Sequence, residues 1–593
     1  MNRKYVAALL AVALVLIVFR VGYSLTQWGD SQDVDQWRLL GDTHKYVITG
    51  HYSPNEMQSM YYGAYSVGFQ ALLGALTVFT GIDLITLAQY SMQIATPLVM
   101  VAVTYLITSR SGRVMNWGIP VMILLIGSFA GITLQQSRTI EESAGFILFC
   151  GTLLFLYLYY TGRASGLYTF SMLTAILLAT IFTHHISFLV ITILAMPFLV
   201  STLKYTAPAY IIAIFVPWWV YYYVLNGYNG VYVGIYFYTT VGLAALYAIL
   251  ALGLIVWHSK KRRAASSRAL ATSWHILQGI SDGKETSVAT LTLLLGIGAV
   301  VYSLATRLQS GYLPFLLPLA PLVVYAGAYA VIANSREACQ LDITFTRYLV
   351  LTLMFLSVFS ALGLIAQFGA ARAGTVPVYL KSIEELFSVD LGSRFTNWAA
   401  FVYGIMATIG LILVSNDIHV TRRRLAPCLM AMLLALTAVN STVLAFNFDT
   451  SFLTTSPPAN QVIATALWTV GNDPANATMT DYQNEMVYWY YASAPVTHTP
   501  SKEGTGLSVL DFVYPNYLQQ WNSSGHTRIN YLLLTLVPEK YYFQHLVNGQ
   551  YKLNDQNVSQ WQARIASIDN GKQLTADKIY TNGYTHYYKV IGS

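Results

Sequence analysis

Four aspartates, Asp30, Asp33, Asp35 and Asp42, follow one another just past the first apolar stretch of the chain. A carboxylate held at a membrane surface can take a proton from an acceptor hydroxyl as a general base. It can also bind a divalent cation through hard oxygen donors. Asp30, Asp33 and Asp35 are explained as well by a solvated loop. Asp42 stands apart. It lies in Gly41-Asp42-Thr43-His44-Lys45-Tyr46, a short segment with helix-like spacing. Behind it come Gly50-His51-Tyr52-Ser53-Pro54, then Tyr61-Tyr62-Gly63, then an apolar run. His44 and Tyr62 are candidate substrate contacts in this loop.

A second acidic spot is Ser137-Arg138-Thr139-Ile140-Glu141-Glu142-Ser143-Ala144-Gly145. Acidic residues at the start of a helix also complement its dipole. A carboxylate pair beside a cation nevertheless suits a phosphate-linked donor: Glu141 and Glu142 could hold an acceptor or a metal, while Arg138 could meet phosphate. His184-His185 comes next. Neighbours on a helix point about 100 degrees apart and chelate poorly, so one is read as packing and His184 as a contact to phosphate or sugar. Arg307, in Ala305-Thr306-Arg307-Leu308-Gln309, is a lone cation beside an apolar run. Its planar fork suits phosphate, although snorkelling would also explain it. The loop 371–395 carries charges of both signs and reads as a solvated segment able to close over a site. Walker-type, G-x-S-x-G and H-E-x-x-H motifs are absent, as is any Cys/His metal spacing. Energy for a reaction would then come from an activated lipid.

The elements that must position these residues are membrane helices. Of 593 residues, 55% are hydrophobic and only 10% charged. Soluble domains carry about 25% charged residues. Apolar stretches of about 20 residues, long enough to cross a bilayer, recur at 5–25, 84–108, 114–133, 144–161, 167–183, 186–203, 206–226, 233–257, 289–306, 312–333, 347–370, 396–415 and 427–446. This predicts an α-helical polytopic membrane protein of about 13 transmembrane helices. The predicted organisation is a transmembrane domain over 1–446, with a first outer loop at 26–83, and a small extracytoplasmic α/β domain over 447–593.

Basic residues set the orientation. Arg110 and Arg113, Arg163, Lys204, Lys260-Lys261-Arg262-Arg263, Arg336 and Arg422-Arg423-Arg424 all fall on one side, which the positive-inside rule makes cytoplasmic. The N-terminus is then cytoplasmic, and the acidic loops face out. Gly63 to Gly81 is apolar, but a full span there would invert everything after it, so a re-entrant or interfacial helix is expected. The net charge of +7 belongs to these loops and points to no nucleic acid. The C-terminal segment has none of the three cysteines, so disulfides do not hold it together. Sequons at Asn476, Asn522 and Asn557 agree with an outer location. Arg528 to Val537 reads as a buried strand.

Together these features resemble the GT-C superfamily of integral-membrane glycosyltransferases, in particular its archaeal members. The chain is distantly like oligosaccharyltransferase catalytic subunits and dolichyl-phosphate-mannose-protein mannosyltransferases. Gly41 to Tyr46, with Gly50-His51-Tyr52 behind it, resembles the family's first-loop acidic motif. By that resemblance Asp42 is the catalytic base or a metal ligand. Ser137 to Gly145 resembles the second acidic motif, with Glu142 in place of its Glu and Ile140 where a first acid would stand. Arg307 matches the basic residue placed near the donor phosphate. Lys578 to Gly583 and Tyr587 to Val590 look like the strand pair that ends many archaeal outer domains. The W-W-D-Y-G run of oligosaccharyltransferases is missing, and Val487-Tyr488-Trp489-Tyr490-Tyr491 only echoes it.

The resemblance implies sugar transfer from a polyprenyl (dolichyl) phosphate donor to a lipid-linked glycan or protein acceptor, among membrane lipids. It leaves the cofactor open, with Mg or Mn the ions such carboxylates would take. A lipid-glycan flippase or transporter is the alternative, but ionisable residues gather at one face and no repeat is evident, unlike most transporters. A non-catalytic receptor would leave the acidic first loop unexplained.

Overall fold

The computed structural model describes residues 3–28, 34–50, 67–108, 123–124, 141–203, 207–219, 398, 401–402, 405, 459–472, 478–479, 490, 497–498, 530–535, 544–547, 550–553, 562–563, 565–570, 576–581 and 585–591. The chain divides into two compact units. One comprises Met1–Arg20, Met92–Ser137 and Glu141–Ala445, and the other Val21–Ser91, Arg138–Ile140 and Phe446–Ser593.

The described residues of the first unit are helical. Helix α1 covers Arg3–Trp28, and α4 covers Leu84–Thr108. Both cross the unit boundary. The part of α1 in this unit buries Tyr5, Leu9, Ala13 and Leu16 against Val101 and Ile123. Its opposite face exposes Leu10, Leu14, Val15 and Val18. A helix apolar on every side belongs in lipid. Helix α4 starts where Asp83 caps it: Thr86 N–H donates to Asp83 Oδ1 at 2.9 Å, and these bonds hold the Asp83 carboxyl below its usual range.

Helices α5 (Glu141–Tyr160), α6 (Gly166–Thr183) and α7 (His185–Leu203) pack on one another. Helix α8 covers Ala207–Trp219. Gly162 turns the chain between α5 and α6 at φ 72°, a left-handed conformation that glycine adopts without strain. Ser165 then caps α6 by accepting from Tyr168 N–H. Four described helices, Lys4–Gly22, Leu84–Ile107, Glu141–Tyr160 and Gly166–Thr183, are long and apolar enough to cross a membrane. These agree with the expected segments 5–25, 84–108, 144–161 and 167–183. The expected spans at 114–133 and beyond α8 lie wholly or mostly outside the described residues.

The second unit contains two helices of the expected first outer loop, α2 (Val34–Thr49) and α3 (Val67–Thr80), which pack together. Fourteen residues of α3 rise only about 21 Å, short of the roughly 30 Å hydrocarbon core. This agrees with a helix that does not span. Val78 and Phe79 on it are exposed.

Among the described residues this unit also holds a mixed five-stranded sheet ordered β2-β1-β3-β7-β6, with β1 Thr478–Met479, β2 Thr497–His498, β3 Tyr531–Thr535, β6 Ala576–Thr581 and β7 Thr585–Val590. A hairpin, β4 (Gln544–Val547) with β5 (Gln550–Leu553), stands beside it in sequence. The strand expected within 528–537 is β3, whose Leu532, Leu533 and Leu534 are buried. The expected terminal strand pair is β6 with β7, antiparallel, with an irregularity between Lys578 and Tyr580. Helix α9 (Ala459–Asn472) packs on β7. There Trp468 stacks on Tyr580 at 4.7 Å.

Candidate active site

Asp42 sits in the third turn of α2 and is fully buried, at 0% exposure. Burial of a carboxylate demands partners. Gln70 of α3 supplies one, its Nε2 donating to Asp42 Oδ2 at 3.4 Å. Gln70 is the lone polar side chain in the first two turns of an otherwise apolar helix, and that isolation is the signal that sequence reading passed over. The helix pair is close. A Cβ on Gly74 would lie 3.0 Å from the Tyr46 ring, so a larger residue there would push the Tyr46 ring aside. Trp37, Leu39 and Leu40 fill the rest of the buried face of α2. Gly50, at φ 71°, ends the helix.

His44 is half-buried two residues beyond Asp42, and burial lowers its pKa from the ordinary imidazole value. Its ring lies 4.9 Å from that of Tyr490, and Trp37 meets the same Tyr490 edge-on at 5.8 Å. Trp37 and His44 are seven residues apart, two turns of one helix face. Tyr490 therefore binds the C-terminal segment to the acidic helix of the first loop. It belongs to the Tyr488-Trp489-Tyr490-Tyr491 run that the sequence offered only as an echo of another motif. Tyr62 lies outside the described residues.

In the other unit, Glu141 and Glu142 form the first turn of α5, and Glu142 is only 3% exposed. One turn on, Gly145 faces the start of α7. A Cβ there would collide with both Oγ and Cβ of Ser187. This near approach brings His184 beside the same turn. The two histidines do not share a helix, as was expected. His184 is the extended link between α6 and α7, with φ −159° and ψ 121°, and α7 begins at His185. The chain must break there because His184 caps both helices. Its N–H donates to Thr180 O at 2.9 Å, and its carbonyl accepts from Phe188 N–H.

The His184 side chain caps α7 as well. Ser187 N–H points at Nδ1 at 3.3 Å, and Ser187 Oγ lies 2.7 Å from the same nitrogen. A nitrogen that receives a backbone N–H carries no proton, so the neutral ring holds its hydrogen on Nε2. His184 is thereby a donor through Nε2. Arg138 and Arg307 fall outside the described residues. Among the described residues no three His, Cys, Asp or Glu side chains gather as a metal site.

No family model matches the chain, and no curated protein matches it in sequence. Solved structures do. The oligosaccharyltransferase of Archaeoglobus fulgidus, tethered to an acceptor peptide containing an NVT sequon, superposes with TM-score 0.53 at 13% identity, covering 90% of this chain and 69% of that one. Its apo form gives 0.52 at 13% identity over the same shares. Its complex with Zn and sulfate gives 0.51 at 14% identity, covering 88% and 68%. The chain thus shares the fold of these integral-membrane oligosaccharyltransferase structures.

Proposed function

We propose that the protein is a membrane glycosyltransferase that takes a sugar from a polyprenyl (dolichyl) phosphate donor. The observation that carries this reading is the fully buried Asp42, held by Gln70 within the first-loop motif. A buried carboxylate in a chain of GT-C fold is costly to maintain for structure alone. The N-terminus faces the cytoplasm, by the charge pattern of the loops. The first loop and the C-terminal α/β domain lie on the outer face.

In this reading Asp42 removes the proton of an acceptor hydroxyl. The oxygen attacks the anomeric carbon, and the bond from that carbon to the phosphate oxygen breaks with inversion. Polyprenyl phosphate leaves, and the proton remains on Asp42. Glu142 orients the acceptor, with Glu141 beside it. Arg307 and Arg138 meet the donor phosphate, since guanidinium forks suit phosphate. His184, protonated on Nε2, donates to the phosphate or the sugar, and His44 and Tyr62 line the acceptor side. A divalent ion would draw on Asp42 or Glu142, oxygen donors suited to Mg or Mn, and would polarise the acceptor hydroxyl.

Either a lipid-linked glycan or a protein fits as acceptor. The fold likeness to an oligosaccharyltransferase favours keeping the second, although the W-W-D-Y-G run is missing.

The test uses the purified protein in lipid, a panel of radiolabelled polyprenyl-phosphate sugars and membrane lipid or peptide acceptors. Native protein should move label to a new product, and folded Asp42→Asn should be slower by about 100-fold or more. Equal transfer by both would remove Asp42 from the reaction.

A further inference from the structure

Arg20 is an ionisable residue inside the first membrane helix. It lies two residues before the end of the apolar span Lys4–Gly22. An arginine near a span end ordinarily snorkels to the interface. This one does not, for it is 0% exposed. Among the described residues its Nη2 meets the Met100 thioether, at 3.3 Å, and Nε and Nη1 are buried with no hydrogen-bond partner. Cys150 of α5 is its other described polar neighbour. Among the described residues no carboxylate pairs with it.

A guanidinium buried without an anion is among the most expensive arrangements in a folded chain, and in membranes such residues mark functional sites. The face of α4 that carries Met100 also carries buried polar side chains. On α4, Gln93, Thr96 and Thr104 lie seven before, four before and four after Met100. They share its face to within about 40 degrees, and all are buried. Met100 itself is unbranched and adaptable, so a stronger acceptor can displace its sulfur from the guanidinium.

We infer that Arg20, with the polar face of α4, forms an intramembrane site for the phosphate of a lipid. A phosphate oxygen pair matches the two unpartnered nitrogens, and a lipid tail stays in the hydrocarbon while its headgroup meets α1. An aqueous anion has no comparable route to a helix interior. The inference rests on the proposed use of a lipid-linked phosphate and adds a site on α1 to the one assigned to Arg307.

The full-length protein in lipid nanodiscs is titrated with a polyprenyl phosphate, the matching polyprenol and inorganic phosphate, and binding is read by native mass spectrometry and Tm. Polyprenyl phosphate should bind and raise Tm, and the other two should not. Arg20→Met should weaken polyprenyl phosphate at least tenfold, while its own unliganded Tm equals or exceeds that of the native protein, because an unpaired charge has gone. Arg20→Lys should retain part of the binding.

Unchanged binding by Arg20→Met overturns the site. So does a lower unliganded Tm in that variant, which would mean a carboxylate elsewhere in the chain already neutralises Arg20. A response to inorganic phosphate equal to that of the lipid overturns the lipid source. Sugar transfer is measured in parallel. Arg20-dependent binding without transfer would sink the transferase reading and leave the site standing. Transfer with Arg20-independent binding would do the reverse.

Discussion

The amide of Gln70 donates to Asp42 Oδ2 at 3.4 Å across the packing of α3 on α2. The short helix behind the first loop thus does more than cover an apolar face: it holds the carboxylate that the sequence singled out. Gln70→Ala should lower kcat about tenfold and leave KM nearly unchanged, since a hydrogen bond to a charged group contributes about 1.5–3 kcal/mol. Gln70→Glu should do something different. Two carboxylates at that distance share a proton, so the acid limb of the kcat/KM profile should move to higher pH. An unmoved limb would separate Gln70 from Asp42.

Tyr490 ties Trp37 and His44 together within one unit. Each aromatic pair contributes about 0.5–1.5 kcal/mol beyond burial. Tyr490→Ala should therefore loosen α2, seen as faster amide hydrogen exchange over 34–49, while Tyr490→Phe keeps the ring and should leave exchange near native. Equal exchange in the two variants, at the native rate, would mean that Tyr490 does not support α2.

The close approach of Gly145 to Ser187 yields a steric prediction. Gly145→Ala should destabilise the protein by about 1–3 kcal/mol through overpacking. Because both Oγ and Cβ of Ser187 lie in the way, Ser187→Gly should rescue it in the double variant far better than Ser187→Ala. Thermal unfolding of the four proteins checks this, and equal rescue by both would place the strain elsewhere.

A fourth prediction concerns pH and the last two strands. Tyr588 OH donates to Asp569 Oδ1 at 2.9 Å, which makes His586 Nδ1 the donor in its 2.8 Å bond to that hydroxyl. Burial, then the Lys578 ammonium, lower the His586 pKa, while Asp569 partly offsets them. A histidine whose folded value is depressed contributes stability above its unfolded value of about 6.5, and that stability is lost as pH falls through the lower folded value. Exchange protection over β6 and β7 should fall as pH drops below about 6.5. Lys578→Met removes one cause of the depression, raises the folded value toward the unfolded one and should shrink the loss. A loss unchanged in His586→Phe would assign it to another group.

The sequence by itself determined the membrane character of this chain, the positions of α1, α4, α5, α6 and α7, the short α3 and the closing pair of strands. Each is written in local patterns: apolar length for a span, alternation for a strand. It also singled out Asp42, because an acidic residue with helical spacing after a span is visible without a fold. Only the tertiary structure decided what surrounds these groups. Gln70, Ser187 and Tyr490 lie 28, 3 and 446 residues from the partners they meet at Asp42, His184 and His44. His184 and His185 look alike as neighbours, yet one is a link with a defined tautomer and the other opens a helix. Arg20 passes in sequence for an ordinary interfacial cation. Its burial against Met100 depends on how α1 meets α4, and side-chain packing between helices far apart in the chain leaves no periodic trace in either one.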